Sequence, residues 1–310
     1  MLYEKIATAD MCRADWLKLR KTGIGGSEAG AVCGLNPYSS PMNVFRDKTC
    51  ETIEDVDSES LRQGRELEDY VAQRFMEATG LKVRRCNYMF RSMEHKFMIA
   101  DVDRLVVGED AGLECKTVNA YNADKWKDGE IPLHYMLQCY HYMMVTGKKV
   151  WYIAAVILGK DFVYRRLEWN DEIIAHLIQA EKEFWENHVL TGIMPKPDGS
   201  DACDEVLATY FHTAKKKSRI ELVGFDEKLN RRQHILEQIE ELEQEQKQIE
   251  QEVKLYMQEN ETAISEKYYV SWSNVNSTKL DTKRIKAERP EVCKDYLKVS
   301  VSRRFQIKAA

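Results

Sequence analysis

A glutamate and a lysine stand two positions apart in the segment GLECKTV, as Glu114 and Lys116. The segment has the apolar character of a β-strand, in which alternate side chains point to the same face. Glu114 and Lys116 are therefore predicted to share one face. At this point two interpretations stay open: the pair neutralises itself in the interior, or it is half of a metal-dependent active site.

A second pair of charges lies upstream, in the segment IADVDR, as Asp101 and Asp103. If the segment is a strand, both carboxylates leave the same face, where they repel each other unless a positive charge lies between them. Aspartate is uncommon in strand interiors. The alternative is a turn, with the strand ending at Ala100.

A third carboxylate lies on a predicted helix, SLRQGRELEDYVAQRFMEATG, which has apolar residues at three- and four-residue intervals and Gly80 as its C-terminal cap. On that helix Glu68 falls at the edge of the face that carries Val71 and Phe75, whereas Glu66 faces solvent. A carboxylate at this edge either extends its head into water or needs a cation to offset desolvation.

Three carboxylates from three neighbouring elements match the needs of a hard divalent cation, which prefers oxygen ligands. The side chains of Glu68, Asp103 and Glu114, together with the backbone carbonyl of Cys115, could hold one or two Mg²⁺ ions. Lys116 could then orient or deprotonate an attacking water. This is the chemistry of metal-assisted phosphodiester hydrolysis.

Four blocks of sequence occur in an order that resembles the YqaJ-like viral recombinases, relatives of lambda exonuclease in the PD-(D/E)XK nuclease superfamily. The blocks span about residues 14–190 and read WLKLRKTGIGGSEAGAVCGLNPYSSP, GRELED, ADVDR with GLECKT, and YMLQCYHYMMVTG. The resemblance implies an α/β fold with a mixed central sheet flanked by helices. The first motif reads Asp-Val-Asp rather than Pro-Asp, which leaves open whether Asp101 shares the metal.

The resemblance also implies roles for individual residues. It makes Glu68, Asp103 and Glu114 the metal ligands, with Mg²⁺ as the expected ion and Mn²⁺ as a substitute for it. It makes Lys116 the water-positioning residue and Gln138 a supporting residue of the site. It places Arg20 and Ser27 on a terminal 5′-phosphate.

The chemistry of the N-terminal block agrees with a phosphate contact. The guanidinium of Arg20 can fork onto a phosphate, and a glycine-rich turn that ends at Ser27 as helix N-cap presents N–H groups to an anion. The alternative for this block is a helix cap with tight packing. The chain lacks the G-x-x-x-x-G-K-[ST] pattern of a nucleotide-binding loop, so no requirement for ATP is expected.

The function implied by the resemblance is a 5′-to-3′ exonuclease that degrades linear duplex DNA and leaves a 3′ single strand for an annealing protein. Relatives form a ring, so a homo-oligomer such as a trimer is expected. Two alternatives stay open: a structure- or end-specific endonuclease, and a non-catalytic DNA-binding or assembly protein.

Composition divides the chain into three predicted regions: a nuclease domain at 1–215, a coiled-coil arm at 216–262 and a small basic α+β tail at 263–310. The arm has apolar residues at alternating four- and three-residue spacing, interrupted by Gln246. It could pair between subunits or fold back as a hairpin. The tail could follow the DNA backbone or bind a partner.

The whole-chain composition is that of a globular protein, with 310 residues, 44% apolar residues and a net charge of −5. No apolar run is long enough to cross a bilayer, and the N-terminus lacks the pattern of a signal peptide. The eight cysteines include no C-x-x-C pair, which disfavours a zinc or iron–sulfur site. A cytoplasmic protein without membrane association is predicted.

Overall fold

The computed structural model describes residues 2–52, 58–294, 296–298 and 302–308. The chain forms two compact units, Met1–His212 and Thr213–Ala310. Within the described part of the chain, no helix is both long and apolar enough to cross a membrane.

The first unit mixes helices and strands throughout its length. Its strands are β1 (Tyr3–Ala7), β2 (Ile24–Gly25), β3 (Val83–Arg85), β4 (Tyr88–Ser92), β5 (Met98–Asp101), β6 (Arg104–Val106), β7 (Ala111–Val118), β8 (Val150–Ile157) and β9 (Asp161–Glu168). Its α-helices are α1 (Arg13–Lys21), α2 (Gly26–Val32), α3 (Pro41–Thr49), α4 (Glu59–Thr79), α5 (Leu133–Thr146), α6 (Asp171–Phe184) and α7 (Asp201–Tyr210). A 3₁₀ segment covers Ala120–Gly129, and a π-helical turn, Trp185–Val189, extends α6.

The strands form two sheets. The larger has the order β3-β6-β7-β8-β9, in which β7 and β8 are parallel and the other pairs antiparallel. The smaller has the order β1-β4-β5-β2, in which only β2 and β5 are parallel among the described pairs. The predicted α/β fold with a mixed sheet flanked by helices is confirmed. The apolar segments at 82–91 and 96–107, each of which the sequence predicts as one strand, break in two and contribute to both sheets.

Strand β8 is covered on both faces, as its continuous apolar sequence predicts. Tyr152 and Ala154 pack with Phe75 of α4, whereas Trp151 and Ile153 pack on the other side with Met143 of α5. The parallel neighbour β7 alternates in the same way, with Leu113 on the α4 side. Its opposite face therefore turns Glu114 and Lys116 towards α5.

Two glycines end the helices that carry site residues. Gly80 follows α4 with φ 72° and Gly147 follows α5 with φ 73°, both in the left-handed region that other residues adopt at a cost. Each donates its backbone N–H to a carbonyl of the last turn, Gly80 to Met76 and Gly147 to Met143. The predicted C-terminal cap at Gly80 is confirmed.

The second unit contains a single long helix, α8 (Asp226–Met257), followed by an antiparallel hairpin of β10 (Thr262–Ile264) and β11 (Tyr269–Ser271). Two short helices follow, α9 (Thr282–Glu288) and α10 (Pro290–Lys294). The long helix is shorter than the predicted arm because residues 216–225 are not helical. The sequence also predicts a strand in the segment YLKVSVSRRFQIK, at 296–308. That prediction is wrong for residues 296–298 and 302–308, which have no regular structure, and the rest of the segment lies outside the described residues.

Candidate active site

Strand β7 presents Glu114 and Lys116 side by side, as their spacing predicts. The ammonium of Lys116 lies 2.6 Å from Oε1 of Glu114. Gln138 of α5 binds both: its Oε1 accepts from Lys116 at 3.0 Å, and its Nε2 donates to Oε1 of Glu114 at 2.7 Å. Gln138 also donates to the hydroxyl of Tyr142 at 2.8 Å, so α5 holds the pair from one side.

The two oxygens of Glu114 have different environments. Oε1 accepts from Lys116 and Gln138, whereas Oε2 is buried and has no hydrogen-bond partner among the described residues. The side chain is only 3% exposed, and desolvation raises its pKa although Lys116 opposes that shift. A buried carboxylate oxygen without a donor is costly and fits a cation.

The lysine of the pair stays charged in this setting. Burial disfavours the ammonium of Lys116, but the neighbouring Glu114, Tyr135 and Asp103 together raise its pKa above the ordinary value. Its Nζ also lies 4.6 Å from the centre of the Tyr135 ring. Lys116 is thus a fixed hydrogen-bond donor next to the carboxylates.

Asp103 lies in the bend between β5 and β6, not in one continuous strand with Asp101. The interpretation as one continuous strand is therefore wrong, because the chain leaves the smaller sheet at Asp101 and enters the larger at Arg104. The alternative of a turn is confirmed, with the strand ending at Asp101 rather than at Ala100. Asp103 Oδ2 accepts from the backbone N–H of Cys115 at 2.8 Å, which fixes it beside Glu114. Burial raises the pKa of Asp103 well above its ordinary value, and the charges of Glu114 and Glu68 raise it further.

Asp101, at the end of β5, is hydrogen-bonded to a residue of helix α1. Its Oδ2 accepts from the indole N–H of Trp16 at 2.9 Å. Burial raises the pKa of Asp101, while this hydrogen bond and the charge of Arg20 oppose the rise.

Glu68 reaches the site from α4, and its main partner is a buried arginine. The Glu68 side chain is 27% exposed against 61% for Glu66, in agreement with the predicted helix faces. Glu68 forms an ion pair with Arg104, whose other guanidinium nitrogen lies 2.6 Å from Asp69. Arg104 follows Asp103 directly, and its partnership with Glu68 was not anticipated.

Arg20 and Ser27 lie together at the opposite end of the site. Arg20 Nη2 donates to Oγ of Ser27 at 3.2 Å and lies 3.4 Å from Glu28. The guanidinium is also stacked near the ring of Trp16, 5.0 Å from its centre. Trp16 lies one turn before Arg20 on α1, a spacing that could have indicated the contact.

The predicted position of Ser27 as a helix N-cap is wrong. Gly25 is the cap of α2 and Ser27 is the second helical residue, because the side chain of Glu28 folds back to accept from the N–H of Gly25 at 2.8 Å. Gly26 leaves no room for a side chain, since a Cβ there would lie 2.5 Å from the ring of Tyr142. The glycine-rich turn thus packs directly on α5.

One pocket of about 140 Å³ joins the two ends of the site. Its lining comes from α1, β2, α2, β4, β5, β7, α5 and the bend at Asp103. The lining residues are Trp16, Arg20, Gly25, Gly26, Ser27, Met89, Ile99, Asp101, Asp103, Glu114, Gln138 and Tyr142. The structure therefore brings the predicted phosphate-binding pair to two predicted metal ligands. Glu68 lines an adjoining pocket, which it shares with Asp101 and Asp103.

The carboxylates fit a divalent cation in part. In the described residues, no group of three or more His, Cys, Asp and Glu side chains is arranged to hold an ion, and Glu68 is engaged by Arg104. Asp103 and Glu114 nevertheless offer hard oxygen ligands in a desolvated place. Mg²⁺ keeps several waters and often takes only one or two protein carboxylates. The roles of Glu68 and of the Cys115 carbonyl as ligands stay predictions.

Comparisons with known proteins show the family of the chain. The family model described as the YqaJ-like viral recombinase domain matches residues 15–149. The protein of Bacillus subtilis (strain 168) called "Uncharacterized protein YqaJ" is 38% identical over 304 residues, which cover 97% of this chain and 95% of that protein.

Solved structures show the same fold. An alkaline exonuclease of Laribacter hongkongensis, LHK-Exo, is 20% identical with a TM-score of 0.51, over 58% of this chain and 94% of its own. Its complex with dAMP is 19% identical with the same TM-score, over 64% of this chain and 98% of its own. The chain therefore shares its mixed α/β fold with these exonuclease structures. The chain belongs to the YqaJ-like viral recombinase family.

Proposed function

We propose that this protein is a Mg²⁺-dependent, ATP-independent exonuclease of the cytoplasm that degrades linear duplex DNA from its 5′ ends. The observation that carries the proposal is the shared pocket: Asp103 and Glu114, with its unpartnered Oε2, line the same small space as Arg20 and Ser27. A hydrolytic centre next to an arginine and a hydroxyl that can bind a terminal phosphate is what removal of terminal nucleotides requires. The solved proteins of this fold include one called an alkaline exonuclease.

The metal site in this proposal consists of Asp103, Glu114 and, once released from Arg104, Glu68, with the carbonyl of Cys115. A bound Mg²⁺, or Mn²⁺ in its place, supplies Lewis-acid activation of water and neutralises charge at the scissile phosphate. The raised pKa values of Asp103 and Glu114 support the assignment, because burial and mutual repulsion there favour binding of a cation.

Lys116 acts as a proton-carrying donor in this proposal. Its raised pKa keeps it charged beside Glu114, so it orients the attacking water and the phosphate oxygens by donating hydrogen bonds. Gln138 holds the side chains of Lys116 and Glu114 in position relative to each other through its two amide hydrogen bonds. Gln138 is thus a positioning residue of the reaction.

Arg20 and Ser27 set the polarity of digestion. The Arg20 guanidinium and the Ser27 hydroxyl lie 3.2 Å apart and line the pocket together, so both can contact one terminal phosphate. A phosphate held there at the 5′ end places the adjoining backbone towards Asp103 and Glu114. The 3′ strand that remains single is the natural substrate of an annealing protein, and a ring-shaped homo-oligomer would keep the enzyme on the duplex.

The direct test is digestion of a linear duplex that carries different labels at its 5′ and 3′ ends, with Mg²⁺ and with chelator. We expect Mg²⁺-dependent, ATP-independent loss of the 5′ label first. A closed circular duplex of the same sequence should stay intact, and cleavage of the circle would identify an endonuclease instead. DNA binding without any hydrolysis in Mg²⁺ or Mn²⁺ would identify the non-catalytic alternative.

A further inference from the structure

Helix α8 of the second unit carries a row of apolar side chains that faces solvent. The row, here called the seam, consists of Ile235, Ile239, Leu242, Ile249, Val253 and Tyr256. Leu242 is 64% exposed and Ile249 is 54% exposed. Alternating spacings of four and three residues place the seam on one side of the helix, in the manner of a coiled coil.

The seam is bordered by acidic residues. In heptad terms its members occupy positions a and d, and the neighbouring e and g positions in the middle of the helix are Glu243, Glu245, Glu250 and Glu252. Between residues 237 and 252 the helix carries seven glutamates and one lysine. Any helix that covers the seam must therefore lie against a strongly negative border.

This border disfavours a second copy of the same helix as the occupant. In a parallel pair, Glu245 of one copy faces Glu250 of the other. In an antiparallel pair centred on the seam, the e positions face each other and so do the g positions, which again sets glutamate against glutamate. Like charges at these positions destabilise helix pairing.

We propose that the seam binds an amphipathic helix of another protein whose border positions carry lysine or arginine. The apolar row supplies the buried contact, and the glutamates supply charge complementarity that selects a basic partner. Gln246 stands at an a position in the middle of the seam, where a polar residue favours one register. This inference is independent of the catalytic proposal.

The test uses the full-length chain and a synthetic peptide of about four heptads with leucine and isoleucine at a and d and lysine at e and g. Two further peptides serve as controls: one with glutamate at e and g, and one with the residues of the lysine peptide in scrambled order. Binding is followed by fluorescence anisotropy at moderate salt. The lysine peptide should bind about tenfold or more tightly than either control.

Two protein variants separate the seam from its border. Leu242→Asp should weaken binding of the lysine peptide about tenfold or more. The double variant Glu245→Lys and Glu250→Lys should reverse the preference, so that it binds the glutamate peptide in place of the lysine peptide. Such a gain of binding also demonstrates that the helix is folded.

Several results would overturn the proposal. Equal binding of the lysine peptide and its scrambled control would show that binding depends on the net charge of the peptide and not on its apolar face. If the double variant still prefers the lysine peptide, the glutamates beside the seam do not select the partner. Sedimentation showing that the chain self-associates through the seam, with dissociation caused by Leu242→Asp, would make a second copy the occupant.

Discussion

The ammonium of Lys116 lies 2.6 Å from one oxygen of Glu114, while the other oxygen of that carboxylate is buried without a partner. A pair that served only to neutralise charge in the interior would be expected to satisfy both oxygens. Here the unsatisfied oxygen belongs to a side chain that lines a pocket together with Asp103. The pair is better explained as part of a cation-binding site than as a structural ion pair.

Removing either member of this pair should abolish hydrolysis and spare DNA binding. Glu114→Gln removes a charged ligand and Lys116→Met removes the donor that orients water, so each should lower the digestion rate of linear duplex about 100-fold or more. Rates are measured on end-labelled DNA in Mg²⁺, and binding by gel shift in chelator.

The matched control for these variants is Glu66→Gln on α4, because the Glu66 side chain is 61% exposed and forms a surface ion pair with Arg62. It should digest DNA at the unmodified rate. If Glu114→Gln or Lys116→Met digests DNA at a near-normal rate, the assignment of this pair to the catalytic site is wrong.

Arg20 and Ser27 should set the preference for phosphorylated 5′ ends. Arg20→Ala removes a charged donor and should lower the rate on 5′-phosphorylated duplex about tenfold, while the rate on 5′-hydroxyl duplex changes little. Ser27→Ala should also lower the rate on 5′-phosphorylated duplex, but by a smaller factor. The ratio of the two rates is the measurement, and Lys18→Ala, on the same helix and paired with Asp15 at the surface, is the control.

An unchanged ratio in Arg20→Ala would contradict this role. Loss of activity on both kinds of end would instead assign Arg20 to the hydrolytic step, since a residue specific for the terminal phosphate has no contact to lose on a hydroxyl end.

Arg104 should contribute to stability much more than a surface arginine. It is 3% exposed and paired with both Glu68 and Asp69, so Arg104→Met leaves Glu68 without its cation near Asp103 and leaves Asp69 with Arg85 alone. Because those carboxylates are partly exposed, we expect a loss of about 2 kcal/mol in the free energy of unfolding, less than for a fully buried pair. Arg62→Met should cost no more than about 0.5 kcal/mol. Equal losses in urea unfolding would contradict the structural role of Arg104.

The short-range geometry of this site follows from sequence periodicity. Alternation on β7 places Glu114 and Lys116 on one face, and helical spacing puts Glu68 nearer the core than Glu66. Both are properties of one element, decided by backbone repeat alone. The glycine after α4 is predictable for a similar reason, since a left-handed cap favours glycine.

Contacts between elements are less accessible to such reasoning. The chain passes from one sheet to the other between Asp101 and Arg104. The two aspartates there are uncommon in strand interiors and so favour a turn, but the local pattern does not show that the chain changes sheets at this point. The pairing of Arg104 with Glu68 joins residues 36 positions apart. The side chain of Glu28 displaces Ser27 from the cap of α2, because a glutamate three residues after Gly25 can reach its N–H.

His134 should make stability depend on pH in the acid range. Burial, followed by the charges of Lys116 and Lys125, lowers the pKa of His134 from 6.5 to about 4. The unfolded chain therefore takes up a proton first as the pH falls, so stability is full above pH 6.5 and is lost as the pH falls towards 4. For this half-buried group we expect about 1 kcal/mol, a value reduced for solvent screening.

The measurement is the difference in unfolding free energy between pH 7 and pH 5 for the unmodified chain and for His134→Gln. Because other groups titrate equally in both proteins, only the contribution of His134 should differ. The unmodified chain should lose more stability than the variant on acidification, and identical losses would show that His134 titrates normally.

Two glycine-to-alanine changes should have opposite signs. A Cβ on Gly112 of β7 would lie 2.4 Å from the fully buried ring of Trp151, so Gly112→Ala must displace the core beside Glu114 and should cost about 1–3 kcal/mol. Gly64, inside α4, has no atom within 4 Å of such a Cβ. Gly64→Ala should therefore stabilise by about 0.5–1 kcal/mol through helix propensity. Urea unfolding measures both, and a neutral Gly112→Ala would mean that β7 and β8 are not packed at this point as described.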